Sequence, residues 1–519
     1  MSALEELVRR GVVRIGRAGD GYDGRSAAFW GSGFFVAPEW VLTCAHVVAK
    51  GAGAVWRGER VIGVTTADGV THTGELAFGL PAPADPEGPP AHWPLPDVAL
   101  IRVPGATDPD CLWLSDRSSL TPAEIGLYGW TSAPGGGQVY LGGTGMASGG
   151  SGGPLVLRGG FLPPGCSGGP VVDLARGAVI GLSKGQAKAQ GGSGLAVPAT
   201  SLRALCDEGP RAARLWHEVL RAHDRHHLRR YLALGASWPR TQVQAPAELR
   251  PYGFTPDRRT QLYGLLGALA PPGSAGQVLE MVNDVRRLVL QSSYAMDTHA
   301  PRGWREGAGL LYAPHDGQSA GNGGPEGTSD LELEAVVLYA AKVCAALSTV
   351  PGTSGAGSAP HNPGLPGAPG ATALAALVEP EPLEGTPEAA HAAHGALRDW
   401  VLGTAVTLQN EVVRAQVPGI LDGARAARAA HADVLIEIDP DVYGTHAWRV
   451  KLLQEDGQIT PVRHNETGVP REELERDIRA ALATALDEGD VGEHLAAVDF
   501  MVPRGLFDEP LDEWRARPP

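Results

Sequence analysis

The 519-residue sequence predicts a multidomain protein with an all-β barrel domain first, a helical middle region, and an α/β domain at the C-terminal end. Three observations carry that expectation. From about Val12 to Pro198, short β-type runs alternate with Gly- and Pro-rich turns, which is how barrel strands read. After Cys206 the apolar period lengthens to that of helices. From Asp433 onward, strand-like and helix-like runs alternate.

Taken in order, Gly33-Phe34-Phe35-Val36, Val98-Ala99-Leu100-Ile101 and Ala178–Leu182 are strand candidates. Arg211–Leu234 carries Leu215, Val219, Leu220, Leu228 and Leu232 at helical spacing, and Asp257–Leu269, Ala275–Tyr294 and Asp330–Leu347 also read as helices. Pro314–Ser329 and Val350–Thr372 are packed with Gly, Pro and Ser and read as linkers. A helical stretch from about Pro387 to Ala430 is expected to break near Pro418. Val434–Ile438 and Ala447–Leu453 then read as strands, Arg471–Leu486 as a helix and Ala497–Val502 as a strand. The expected boundaries are 1–205 for the barrel domain, 206–349 for the helical region, 350–386 for a linker, 387–430 for a helical segment and 431–519 for an acidic α/β domain.

Charge and composition narrow the function classes. The net charge is −15, and from His431 to the C-terminus 20 acidic residues stand against 9 basic ones. Nucleic acid, which demands basic patches, is not an expected partner. The chain has no run of about 18 uncharged apolar residues, so no spanning helix and no membrane partner is expected. Met1–Arg10 places Glu5 and Glu6 where a secretory signal has basic and then apolar residues. Cys44, Cys111, Cys166, Cys206 and Cys344 are odd in number and scattered, which suits reduced thiols in a cytoplasmic protein.

Three local patterns carry chemistry. His46 lies in Trp40-Val41-Leu42-Thr43-Cys44-Ala45-His46-Val47-Val48, just after Gly31-Ser32-Gly33-Phe34-Phe35-Val36. Asp97-Val98-Ala99-Leu100 follows, and Pro164-Gly165-Cys166-Ser167-Gly168-Gly169-Pro170 comes last. A serine hydroxyl becomes a nucleophile when an adjacent base takes its proton and a third group orients that base. Glycines around Ser167 let the amides of Gly165 and Ser167 aim at a developing oxyanion. Alone, Ala-His is an ordinary pair and Ser-Gly-Gly-Pro a turn; the order of all three among strand runs sets them apart.

At these residues the chain resembles the trypsin-like (chymotrypsin-fold) serine proteases, especially their bacterial HtrA-type branch, over roughly residues 12–205. The resemblance implies a double β-barrel and a catalytic triad of His46, Asp97 and Ser167 in that chain order. It also implies an oxyanion hole at Gly165 and Ser167 and acyl-enzyme cleavage of a protein or peptide substrate without a cofactor. Gly177–Leu182 is similar to the strand that carries substrate backbone, and Gly194–Pro198 to the closing strand. Two positions depart from zymogen-type members. Cys166 replaces the Asp that pairs with a new N-terminus, so N-terminal processing is not the expected switch; Cys166 itself is expected to be a packed or redox-sensitive thiol rather than a nucleophile. Phe161 stands where enzymes that cut after Arg or Lys have Asp; with Ser183 and Ala196 it is a candidate pocket wall, implying an apolar preference. Ser151 in Gly149-Gly150-Ser151-Gly152-Gly153-Pro154 also fits the nucleophile pattern, but the expected hairpin follows Ser167, so Ser151 is expected in a loop.

His223, His226 and His227 cluster on one candidate helix without an evident further ligand, and a solvated helix face is expected rather than a metal site. The acidic end has no Asp-x-Asp-x-Asp-Gly loop, and His464-Asn465-Glu466 and Asp439-Pro440-Asp441 read as turns. No metal is expected. Val434–Asp439, Ala447–Leu453, Asp499–Leu506 and Pro510–Trp514 resemble the front part of the C-terminal domain of vWA-MoxR-associated proteins, and the helices at 250–350, including Gly303–Ala308, resemble their middle region. That resemblance implies a MoxR-type AAA ATPase and a von Willebrand-A-type protein as partners in a bacterial conflict or signalling system. Two readings compete: a regulated intracellular serine endopeptidase, and a catalytically silent protease-like scaffold or adaptor. The presence of His46, Asp97, Ser167 and Gly165 together favours the enzyme.

Overall fold

The computed structural model describes residues 2–18, 29–51, 53–82, 93–117, 123–149, 153–159, 163–186, 194–233, 237–243, 254–290, 301, 303–311, 326–348, 387–428, 433–440, 444–453, 459–489 and 497–506. Described residues up to Tyr339 form one compact unit, and those from Ala340 a second.

The first unit opens with helix α1 (Ala3–Gly11), whose N-terminus is closed by a capping box between Ser2 and Glu5. Strands β1 (Val12–Arg17), β2 (Phe29–Ala37), β3 (Trp40–Thr43), β4 (Ile62–Thr65), β5 (Thr71–Leu80) and β6 (Val98–Arg102) close into a barrel of order β1-β2-β3-β6-β5-β4. Two one-turn helices, α2 (Ala45–Val48) and α3 (Gly53–Trp56), follow β3. A second closed barrel holds β7 (Ala123–Ser132), β8 (Gln138–Gly149), β9 (Leu155–Arg158), β10 (Pro170–Asp173), β11 (Ala178–Gln186) and β12 (Gly194–Pro198), in the order β10-β11-β12-β9-β8-β7. Closure removes the exposed strand edges. Side chains fill the interiors: Ile15, Phe34, Leu42, Ile62 and Leu100 in the first barrel's core, and Ile125, Leu127, Leu157, Val171 and Ile180 in the second's. The double-barrel architecture expected from the sequence is present.

Helices α4 (Pro210–Leu232), α5 (Trp238–Val243), α6 (Pro256–Ala268), α7 (Ala275–Val285), α8 (Trp304–Ala308) and α9 (Glu326–Ser348) follow. The solvated face expected for His223, His226 and His227 is a correction: their exposures are 0%, 4% and 2%. They meet the segment that joins the two barrels. Trp113 packs against the His223 and His227 rings at 5.2 and 4.9 Å and stacks on Trp238 at 4.0 Å. The Leu114 N–H donates to His223 Nε2 at 3.0 Å. His223 therefore carries its proton on Nδ1, facing Asp224 Oδ1 at 2.7 Å. Burial disfavours charge on these rings, pushing His223 and His227 well below the ordinary histidine value and His226 down to about 3. The covering segment lies 109 residues away in sequence, which is why helical spacing alone misreads this face.

In the second unit, helices α10 (Pro387–Ala405) and α11 (Glu411–Arg428) replace the single helix broken at Pro418. The break falls at residues 406–410, where Asn410 Oδ1 accepts the Val412 and Val413 N–H groups and caps α11; Pro418 lies inside the helix. Strands β13 (Asp433–Ile438), β14 (Thr445–Leu453), β15 (Ile459–Pro470) and β16 (Val498–Met501) form a sheet of order β15-β14-β13-β16, with β13 and β16 parallel. Helix α12 (Arg471–Gly489) buries Leu474, Ile478, Ala481, Leu482 and Ala485 in the same core as Val434, Ile436, Trp448 and Val450. His464, Asn465 and Glu466, expected in a turn, belong to β15, where Asn465 pairs with Trp448 and His464 with Arg449. The linker expected at 350–386 lies outside the described residues.

Candidate active site

Four pieces of the two barrels converge. His46 sits on α2, directly after β3, where Cys44 takes the N-cap position. Asp97 precedes β6 and adopts a φ of +41°. Ser167 lies in the 163–169 loop ahead of β10, and β2 reaches this loop through the Ser32 N–H, which donates to Ser167 O at 2.9 Å.

Asp97 is fully buried and holds His46 from two sides. Its Oδ2 accepts from His46 Nδ1 at 2.9 Å, and its Oδ1 accepts the His46 backbone N–H at 3.1 Å. Burial alone would raise the Asp97 carboxyl, but the His46 contact and the Lys184 ammonium, 2.8 Å from Oδ2, hold it below the ordinary value. This arrangement places the His46 proton on Nδ1 and leaves Nε2 able to accept one. Ser167 Oγ donates to Lys184 O at 3.4 Å, and among the described residues it has no hydrogen bond to His46. Rotation about the serine Cα–Cβ bond is all that redirects a hydroxyl.

Three hydroxyls set the peptide planes ahead of Ser167. Thr131 Oγ1 donates to Pro164 O at 2.7 Å. Ser32 Oγ donates to Gly165 O at 2.8 Å while accepting the Trp130 N–H at 2.8 Å. Ser183 Oγ donates to Cys166 O, which also accepts the Gly169 N–H at 3.0 Å. The C=O and N–H of a trans peptide point opposite ways. With the Pro164 and Cys166 carbonyls held inward, the N–H groups of Gly165 and Ser167 turn outward, and neither has an acceptor among the described residues. The loop can take this shape only with glycine at Gly165, whose φ is +104°, and at Gly168, whose φ is +85° and where a Cβ would lie 2.2 Å from Ser32 O.

The remaining sequence candidates fall as follows. Ser183 and Ala196 are opposite each other on β11 and β12, both are buried, and the Ser183 hydroxyl is committed to the loop. Phe161 and Ser151 lie outside the described residues. Cys166 is buried, and burial pushes its thiol up to about 12. All five cysteines are buried and none is in a disulfide. Cys44, His46 and Asp97 are the one grouping of potential metal-ligand atoms among the described residues. Its atoms are already engaged, with Cys44 Sγ donating to Ser183 O and His46 Nδ1 to Asp97, so we assign no ion to it. Sequence reasoning missed Ser32, Thr131 and Lys184. Ser32 stands inside a recognised Gly-Ser-Gly pattern, but Thr131 and Lys184 carry no local signal.

Residues 31–182 match the family model of the trypsin-like peptidase domain. The two closed six-stranded barrels have the trypsin-like double-barrel fold. Residues 444–519 match that of the vWA-MoxR associated protein C-terminal domain. No curated protein matches the chain. Solved structures similar to part of it include the active form of the Rv3671c protease from M. tuberculosis, at 20% identity over 39% of this chain and 81% of that one, with a TM-score of 0.27. The serine endoprotease from Yersinia pestis is 19% identical over 40% of this chain and 66% of its own, with a TM-score of 0.28. The HtrA-type protease AlgW with decapeptide is 18% identical over 42% and 67%, also with a TM-score of 0.28. Among the described residues, no helix is long and apolar enough to cross a membrane.

Proposed function

We propose that the chain is a regulated serine endopeptidase whose triad is His46, Asp97 and Ser167. His46 Nε2 takes the Ser167 proton as Oγ attacks the scissile carbonyl, then delivers it to the leaving amine. Asp97 fixes the imidazole tautomer and stabilises the imidazolium. The Gly165 and Ser167 N–H groups receive the oxyanion, an interaction of which each donor is typically worth about 3–4 kcal/mol. The observation that carries this reading is the pair of outward-turned amides beside a serine, with a histidine oriented by a buried carboxylate. The test is fluorophosphonate labelling and hydrolysis of a denatured protein by the full chain. Both should disappear in Ser167→Ala and persist in Ser151→Ala; labelling that survives Ser167→Ala would sink the assignment.

A second reading, a silent protease-like scaffold, draws on the Ser167 hydrogen bond to Lys184 O rather than to His46. The same labelling experiment separates the two. The C-terminal match supports a further part of the proposal, that the peptidase is a cytoplasmic effector coupled to a MoxR-type ATPase and a von Willebrand-A-type protein in a bacterial conflict or signalling system.

A further inference from the structure

Lys184 touches two members of the candidate triad from opposite barrels. It stands on β11, and its backbone carbonyl accepts from Ser167 Oγ. Its side chain crosses to the first barrel, where Nζ lies 2.8 Å from Asp97 Oδ2 and donates to Trp93 O. The Lys184 side chain is only 19% exposed and that of Asp97 is fully buried, so water screens the pair poorly. Asp97 Oδ2 is thereby shared between two donors, the ammonium and His46 Nδ1.

In the triad proposed above this carboxylate accepts the histidine Nδ1–H and fixes its tautomer. A fixed cation on the same oxygen has two consequences. It compensates the buried charge and, with His46, holds the Asp97 carboxyl below its ordinary value. It also sets a positive charge one carboxylate away from the imidazole, of the same sign as the imidazolium that forms when His46 takes the serine proton. Among the described residues, the titratable group that also faces this cluster is Cys44, at the N-cap of α2; burial pushes its thiol well above the ordinary range, so it stays protonated.

We propose that Lys184 is a positioning residue of this site: it braces Asp97 across the two barrels and, through that carboxylate, sets the acid limb of the peptidase's pH profile. The inference rests on the triad reading. Its test is the rate of fluorophosphonate labelling of the full chain, followed from about pH 5 to about pH 9, where the acid limb reports the essential base. In Lys184→Met the midpoint should move up by about one unit, so that labelling below it slows by roughly tenfold beyond any change at the plateau. Lys184→Arg, which keeps the charge, should leave the midpoint near that of the parent protein. An unmoved midpoint in Lys184→Met, or an equal displacement in both variants, would overturn the role. Should Lys184→Met not fold, Lys184→Gln is read against the same two criteria. Loss of the triad reading looks different, because labelling of the parent protein would then survive Ser167→Ala.

Discussion

Thr131 illustrates what a single hydroxyl does here. Its bond to Pro164 O holds one peptide so that the Gly165 N–H faces outward. Turning that peptide over means breaking a part-buried hydrogen bond, at a cost of about 1 kcal/mol. Thr131→Val removes that cost while keeping the shape of the side chain. We expect kcat to fall by up to about fivefold, the factor that about 1 kcal/mol sets, with KM little changed, because the donor acts on the transition state. Thr131→Ser should recover most of the rate. Steady-state kinetics on a fluorogenic peptide give the answer, and a Thr131→Val enzyme with parental kcat would show that the loop holds itself. His46, Asp97 and Ser167 were legible in the sequence because each sits in a short local pattern with its own glycines or strand. Thr131 and Lys184 were not, because a hydroxyl or an ammonium becomes informative only once a distant carbonyl or carboxylate lies opposite; Trp93, which Lys184 also meets, is 91 residues away.

At the scale of elements, the segment between the barrels is the piece most heavily held. Leu114 forms a parallel bridge with Val179 of β11, and the Ser115 N–H donates to Val179 O at 2.9 Å. Two residues on, Asp116 is buried against Arg259 and Tyr263 of α6, and Arg259 also reaches Glu332 of α9 at 2.8 Å. Burial would raise Asp116, but the Arg259 charge and the Tyr263 hydroxyl prevail and hold it at about 2, against an ordinary 3.8. A carboxyl depressed in the folded state stabilises fully above its unfolded value and loses that contribution as pH falls through the folded one. Asp116 should therefore contribute about 2 kcal/mol above pH 4, lost progressively between about pH 4 and about pH 2. Thermal melts of the parent protein and Asp116→Asn should differ most above pH 4 and converge toward pH 2; a constant gap would refute the assignment. Arg259→Met, which strands a buried carboxylate, should cost roughly 3–5 kcal/mol at neutral pH.

For the whole molecule, these contacts bind helices α4 to α8 and the part of α9 up to Tyr339 to the barrels within one unit. Residues 1–240 contain both barrels but lack Arg259, Tyr263, Arg305 and Glu332. Such a fragment loses the ion pairs of Asp116 and Asp224 and uncovers Trp113, which packs on Tyr263 of α6, against a total stability of about 5–15 kcal/mol for ordinary domains. We expect it to melt far below a 1–348 fragment by circular dichroism, and equal melting temperatures would show that the barrels stand alone. For the proposed partners, the expectation is that a MoxR-type ATPase and a von Willebrand-A-type protein raise hydrolysis by the full chain. Mostly off to mostly on needs about 5 kcal/mol of differential binding, and identical rates with and without them would reject the coupling.

By itself the sequence determined the two kinds of information that are local. Strand periods and turn residues specified barrel strands such as β2, β6 and β11, and short motifs placed His46, Asp97 and Ser167 in order along them. Only the tertiary structure decided what surrounds those residues. It turned the His223 face from solvent into core, moved His464–Glu466 from a turn into β15, and brought Ser32, Thr131, Ser183 and Lys184 around the 163–169 loop and Asp97. The reason is physical: whether a polar side chain is solvated, buried or poised depends on the groups that approach it from remote parts of the chain, and period and spacing carry no record of them.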